Sequence, residues 1–171
     1  ASLDLYFSKS KNILIKTAPI LDITAGINEL NHIKSIHIIA IDNEVKELLW
    51  ILEKEYSSEI EITSINIQKE KTDSNSFILG QNTPTTFALP KMFLYEPNAP
   101  LLKSGGSDNL SKVLGVDKLH PHSHLFTNMK LIDFPGRRFM IEAVIPFKKE
   151  ELKKHVEKKK MNITTRNFPL Q

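Results

Sequence analysis

MFLYEPNAPLLKSGG (Met92–Gly106), KLHPHSHLFTN (Lys118–Asn128) and LIDFPGRRF (Leu131–Phe139) carry the densest turn chemistry in this chain of 171 residues. Core positions repeat Leu, Ile and Val at a regular period. Here Pro, Gly, Asn, His and Arg crowd beside short apolar groups instead, so the segment encodes shape or recognition as well as packing.

Around these phrases the pattern predicts strands at Lys91–Tyr95, Leu125–Leu131 and Arg138–Ile145, with a closing strand at Met161–Thr165. Between them it predicts helices at Ala99–Leu114, which contains Gly105 and Gly106, and at Lys148–Lys160. The order is β-α-β-β-α-β, the split βαβ or ferredoxin-like plan. The three phrases, in this order, resemble the THUMP-like, ferredoxin-like domain that follows the catalytic domain in a bacterial family of class I SAM-dependent methyltransferases.

Upstream the pattern changes. NILIKTA (Asn12–Ala18) and SIHIIAI (Ser35–Ile41) read as buried strands, and EIEITSINI (Glu59–Ile67) as an alternating one. Thr24–His32 reads as a short helix capped by Thr24. A second helix is predicted from Asp42 or Asn43, with Val45, Leu48, Leu49 and Leu52 as its apolar stripe. Alternating strands and helices imply an α/β, mostly parallel sheet, which three strands and two helices leave incomplete. KTAPILDI (Lys16–Ile23) and IDNEVKELLW (Ile41–Trp50) resemble the fifth-strand signature of the same methyltransferases and the segment after the next strand. The resemblance implies that residues 1–70 are the last strands of a Rossmann-like SAM methyltransferase domain and residues 75–171 the THUMP-like domain. The polar run KEKTDSNS (residues 69–76) reads as the linker between them.

Bulk composition sets further bounds. The chain has no cysteine, which excludes a disulfide framework and a thiolate metal site and suits a reducing cytoplasm. No apolar run is long enough for a membrane span, and the first residues lack the order of a signal peptide. The net charge of +3 conceals an asymmetry. Residues 1–74 hold 8 Lys+Arg against 12 Asp+Glu, and residues 75–171 hold 15 against 8. A basic module joined to an acidic one fits a nucleic-acid-binding appendage, and equally an ordinary lysine-rich surface.

Several side chains are candidate contacts. Pro135 and Gly136 form a rigid turn before Arg137 and Arg138, and a guanidinium so placed clamps a phosphate or pairs with Asp133 or Glu142 to hold a hairpin. Lys103, Lys148, Lys149 and Lys153 would add salt-sensitive attraction to RNA, or form a solvated face. Asn98 caps a helix whose start could receive a phosphate. His120, His122 and His124 alternate, so an extended backbone would project all three to one side. They would serve as metal ligands or, more in keeping with Pro121, as ties between loops with His124 partly buried. The resemblance adds Lys16 and Asp22 as an active-site edge, because open α/β sheets bind ligands at the carboxyl ends of strands.

The resemblance implies part of a SAM-dependent RNA methyltransferase whose THUMP-like domain holds structured RNA, tRNA or rRNA, for a catalytic part that lies upstream. SAM is then a cofactor of the full-length protein, and none is expected on this chain, because no glycine-rich strand-to-helix turn and no Asp-Pro-Ala-Arg-Arg type motif occurs in it. The expected partners are RNA and that catalytic part, with no catalytic residue and no metal here. The alternative is an interaction or scaffolding domain with no RNA contact.

Overall fold

Ile41-Asp42-Asn43-Glu44 turns the chain back on itself. Asp42 and Asn43 have φ of 49° and 66°, the positive pair that a two-residue hairpin loop requires. In the computed structural model, which describes residues 3–81 and 84–156, the loop joins Ile33–Ile41 (β2) to Glu44–Glu53 (β3) with Ile41 opposite Glu44. The helix expected from Asp42 is therefore a strand. Five consecutive apolar residues, Leu48 to Leu52, satisfy either period, and the turn decides. Leu48, Trp50 and Leu52 are fully buried while Leu49 and Ile51 face the other way.

The first sheet also holds Asn12–Thr17 (β1), Glu61–Ile67 (β4) and Thr72–Ile78 (β5), in the order β1-β3-β2-β4-β5. Only β2 and β4 run parallel. Among the described residues the sheet is thus mixed, with five strands, and the expected mostly parallel arrangement is corrected. The supposed linker is corrected too, because Thr72–Ile78 pairs along the whole of β4. Its exposed Thr72, Ser74 and Ser76 are what an edge strand tolerates.

One face of this sheet carries the core. Ile36, Ile38, Leu48, Trp50, Leu52 and Ile62 are all fully buried. The helices Leu3–Phe7 (α1) and Ile23–Glu29 (α2) bring Phe7 and Ile23 into the same cluster. Asp22, not Thr24, caps α2, accepting the Ala25 N–H at 2.9 Å. Gly26 lies under Trp50, where a Cβ would overlap the indole ring. The indole N–H is donated to Thr17 Oγ1 at 2.9 Å. Leu14, Leu49, Ile51, Ile39 and Ile65 share the opposite face by register and stand outside that cluster. Leu14 is 60% exposed on β1, the edge strand.

The second sheet is antiparallel throughout. It holds Phe93–Pro97 (β6), Asp117–Lys118 (β7), Phe126–Asn128 (β8) and Gly136–Met140 (β9) in the order β7-β8-β6-β9. The expected long helix is two pieces, Ala99–Ser104 (α3) and Asn109–Leu114 (α4), because Gly105 at φ 73° ends the first and a 3₁₀ turn intervenes. Lys149–Val156 (α5) falls within the predicted last helix, and the predicted strand Met161–Thr165 lies outside the described residues. Tyr95, Leu101, Leu110, Val116, Phe126 and Phe134 form this sheet's core. The Tyr95 hydroxyl secures the incoming loop, donating to the Lys130 carbonyl at 2.7 Å and accepting the Ile132 N–H at 3.1 Å.

Helix α3 joins the two halves. Its Leu101 enters the second core, while the helix lies across β2, β3 and β4 of the first sheet. Gly106, just beyond it, has no room for a Cβ because the Phe77 ring of β5 occupies that position.

Candidate site in a cleft on the first sheet

Because α2 and α3 sit side by side on one face of the first sheet, they leave a gap between them. A cleft of about 580 Å³ opens there. Asp22, Ile23, Thr24 and Ile27 of α2 and its cap form one wall, and Leu102, Lys103, Ser104 and Gly105 another, joined by Asp108 and Asn109. Ile62, Phe77, Ile78 and the loop Leu79–Gln81 form the floor and rim. The volume is that of a small-molecule pocket, and its lining mixes apolar and polar side chains in about equal share.

The structure brings together two of the side chains singled out from sequence. Lys103 Nζ donates to the Leu21 carbonyl at 2.9 Å, which holds its charge at the cleft wall beside Asp22. Asp108, also in the lining, accepts from Lys118 Nζ at 2.6 Å, and that lysine is almost completely buried. Lys16 is not in the cleft. It projects from the far face of β1 and pairs with Glu47 at 2.8 Å.

The two arginines are engaged within the fold. Arg137 Nε donates to Glu96 Oε2 at 2.8 Å, and its terminal nitrogen pairs with the same oxygen. Glu96 and Arg137 are cross-strand partners in β6 and β9, and Glu96 is largely buried. The Arg137 guanidinium also stands 5.7 Å from the centre of the Phe139 ring. Arg138 reaches Asp133 at 3.7 Å and the Ile132 carbonyl at 3.4 Å. Hairpin bracing therefore accounts for Arg137, with Glu96 as a partner the sequence reading did not name, and loosely for Arg138. Lys148, Lys149 and Lys153 are exposed on and beside α5.

The start of α3 is used up by capping. Asn98 accepts the Leu101 N–H at 3.1 Å, and the Ala99 N–H goes to Asn43 Oδ1 at 2.7 Å. His120, His122 and His124 are all exposed, which corrects the expected partial burial of His124. The His122 N–H is donated to His120 Nδ1 at 3.2 Å. Among the described residues no three His, Cys, Asp or Glu side chains group to hold a metal, and no helix is long and apolar enough to cross a membrane.

Electrostatic ties reinforce the junction. Lys71, just before β5, pairs with Asp73 of that strand and with Asp133 of the second half, and both hydrogen bonds push its ammonium above the ordinary lysine range. Asp117 is held below the usual carboxylate range by the Lys91 ammonium and then by a hydrogen bond from Thr86.

Residues 93–135 match the family model of a ferredoxin-like domain, and residues 136–171 match that of a THUMP domain-like family. The structure is similar to the crystal structure of a proposed methyltransferase from Porphyromonas gingivalis W83, with a TM-score of 0.81 and 33% identity over 94% of this chain. That alignment covers 42% of the methyltransferase, so the chain spans less than half of its length. No curated protein is significantly similar. The ferredoxin-like and THUMP-like resemblance read between Met92 and Phe139 is borne out by these matches.

Proposed function

We propose that this chain is part of a SAM-dependent methyltransferase acting on structured RNA, in which the first sheet extends the catalytic domain and the THUMP-like half holds RNA by its phosphates. The observation that carries this reading is the continuous likeness, across both sheets, to one methyltransferase more than twice as long. Two features of the fold suit it. The free edge of β1, with Leu14 exposed, is a position where further strands would pair. The surplus of positive charge after residue 74, with Lys148, Lys149 and Lys153 in solvent, suits a phosphate backbone.

The methyl donor belongs to another part of such a protein. Among the described residues there is no glycine-rich strand-to-helix turn, and Gly26 is occupied by Trp50 packing. What this chain's residues supply is position: α3, Lys103 and Asn43 fix the RNA-facing half against the sheet.

A titration with folded tRNA across a range of salt concentrations tests the reading. Affinity that falls as salt rises supports it. Absence of binding at low salt, or binding indifferent to salt, removes the RNA role.

A second reading, an interaction domain without RNA contact, has one observation in its favour: Lys103, Arg137 and Arg138 all have intramolecular partners. It expects the triple substitution Lys148→Ala, Lys149→Ala, Lys153→Ala to leave RNA affinity unchanged.

A further inference from the structure

The charged groups of the cleft are already engaged. Asp108 pairs with Lys118, Asp22 accepts the Ala25 N–H, and the Lys103 ammonium is anchored on the Leu21 carbonyl. Two carboxylates and one tied lysine in the lining give a phosphate no favourable field. The rest of the lining favours something different. Phe77 offers an aromatic ring held rigidly by its packing on Gly106, Ile23 and Ile62 supply apolar surface, and Gln81 and Thr24 place hydrogen-bonding groups at the rim. A flat, neutral molecule with an apolar face and a polar edge fits that combination, and every nucleobase has both.

From this we propose that the cleft between α2, β5 and α3 takes a single unstacked ribonucleoside of the RNA substrate. Its base lies against the apolar wall near Phe77, and its phosphates remain outside. The assignment rests on the proposal that the substrate is RNA and narrows it, because it separates where bases are held from where backbone charge is held. It also leaves backbone contacts to the exposed lysines of α5, because the one lysine lining the cleft is half-buried and tied down.

The test uses this chain with the four free ribonucleosides, and in parallel with folded tRNA. Backbone amide shifts are followed for Gly80, Gln81, Gly105 and Asn109, which line the cleft. Expected is saturable perturbation of these amides by nucleosides, unaffected by salt, and roughly tenfold or more weaker in Thr24→Arg, which fills the mouth from an exposed helix position. Gln81→Ala, removing only the rim amide, should weaken binding by a smaller factor. An unchanged thermal transition confirms that each variant folds. No perturbation of the cleft amides by any nucleoside overturns the assignment. Nucleoside monophosphates binding more tightly than nucleosides, with salt dependence, also overturn it. Nucleoside binding without tRNA binding would keep the cleft and remove the RNA reading. Salt-sensitive tRNA binding with silent cleft amides would do the reverse.

Discussion

Asn43 Oδ1 accepts the backbone N–H of Ala99 at 2.7 Å, while the Asn43 N–H is donated to Asn66 Oδ1 at 2.9 Å. One residue thereby closes the β2–β3 hairpin, fastens it to β4, and takes up the first N–H of α3 in the second half. Its φ of 66° is one that asparagine tolerates and most residues do not.

Replacing Asn43 separates these roles. Asn43→Gly keeps the backbone angle and loses the side-chain bond, a cost of about 1 kcal/mol. Asn43→Ala adds the left-handed strain of a residue with a Cβ, about 1 kcal/mol more. Urea unfolding of the two variants should rank them in that order.

Gly106→Ala is expected to cost about 1–3 kcal/mol, because the new methyl must displace the Phe77 ring. Gly26→Ala should cost a similar amount against Trp50. As the chain has one tryptophan, its fluorescence should shift in Gly26→Ala and stay native-like in Gly106→Ala. Equal spectral changes in both would mean that the two rings do not respond independently.

Arg137→Ala should lower stability by about 1–3 kcal/mol, because the largely buried Glu96 loses its arginine. If the RNA reading holds, its effect on the salt dependence of binding should be small. The triple substitution Lys148→Ala, Lys149→Ala, Lys153→Ala should do the opposite. Stability should barely move, and the slope of log affinity against log salt should become shallower by roughly 0.7–0.9 for each phosphate that a lysine no longer neutralises.

Acid should weaken the fold through Asp117. Its folded pKa lies below the unfolded value of about 4, because the Lys91 ammonium and Thr86 favour the carboxylate. The unfolded chain therefore binds the proton first. The contribution is complete above the unfolded pKa and is lost as pH falls through the folded one. Asp117→Asn should be less stable than the parent at pH 7, and the difference should shrink as pH falls below about 4. A difference independent of pH would contradict the assignment.

The second half was more legible in the sequence than the first, for physical reasons. Its caps and turns are local: Asn98 before Ala99, and Pro135-Gly136 at the start of β9, announce themselves within a few residues. The β3 strand was missed because Leu48–Leu52 is apolar at every position, so no period shows. The signal lay in Asp42-Asn43, which as a two-residue loop forces a hairpin. The β5 strand was missed because one side of an edge strand is wet, and its polar residues read as a linker. The Arg137–Glu96 pair depends on the register of β9 against β6. The cleft joins residues from Asp22 to Asn109, and no local motif spans that distance. Of its charged lining, sequence reasoning had singled out Asp22 and Lys103, each for a reason unrelated to the other.

Helix α3 has a thermodynamic consequence. It places Leu101 in one core and lies across three strands of the other, so neither sheet can lose its packing without unseating an element the other needs. The two halves should melt as a single calorimetric unit, with one transition enthalpy. An RNA or protein held by the second half would then raise the melting temperature of the first, carrying the effect of binding into the sheet without any change of shape.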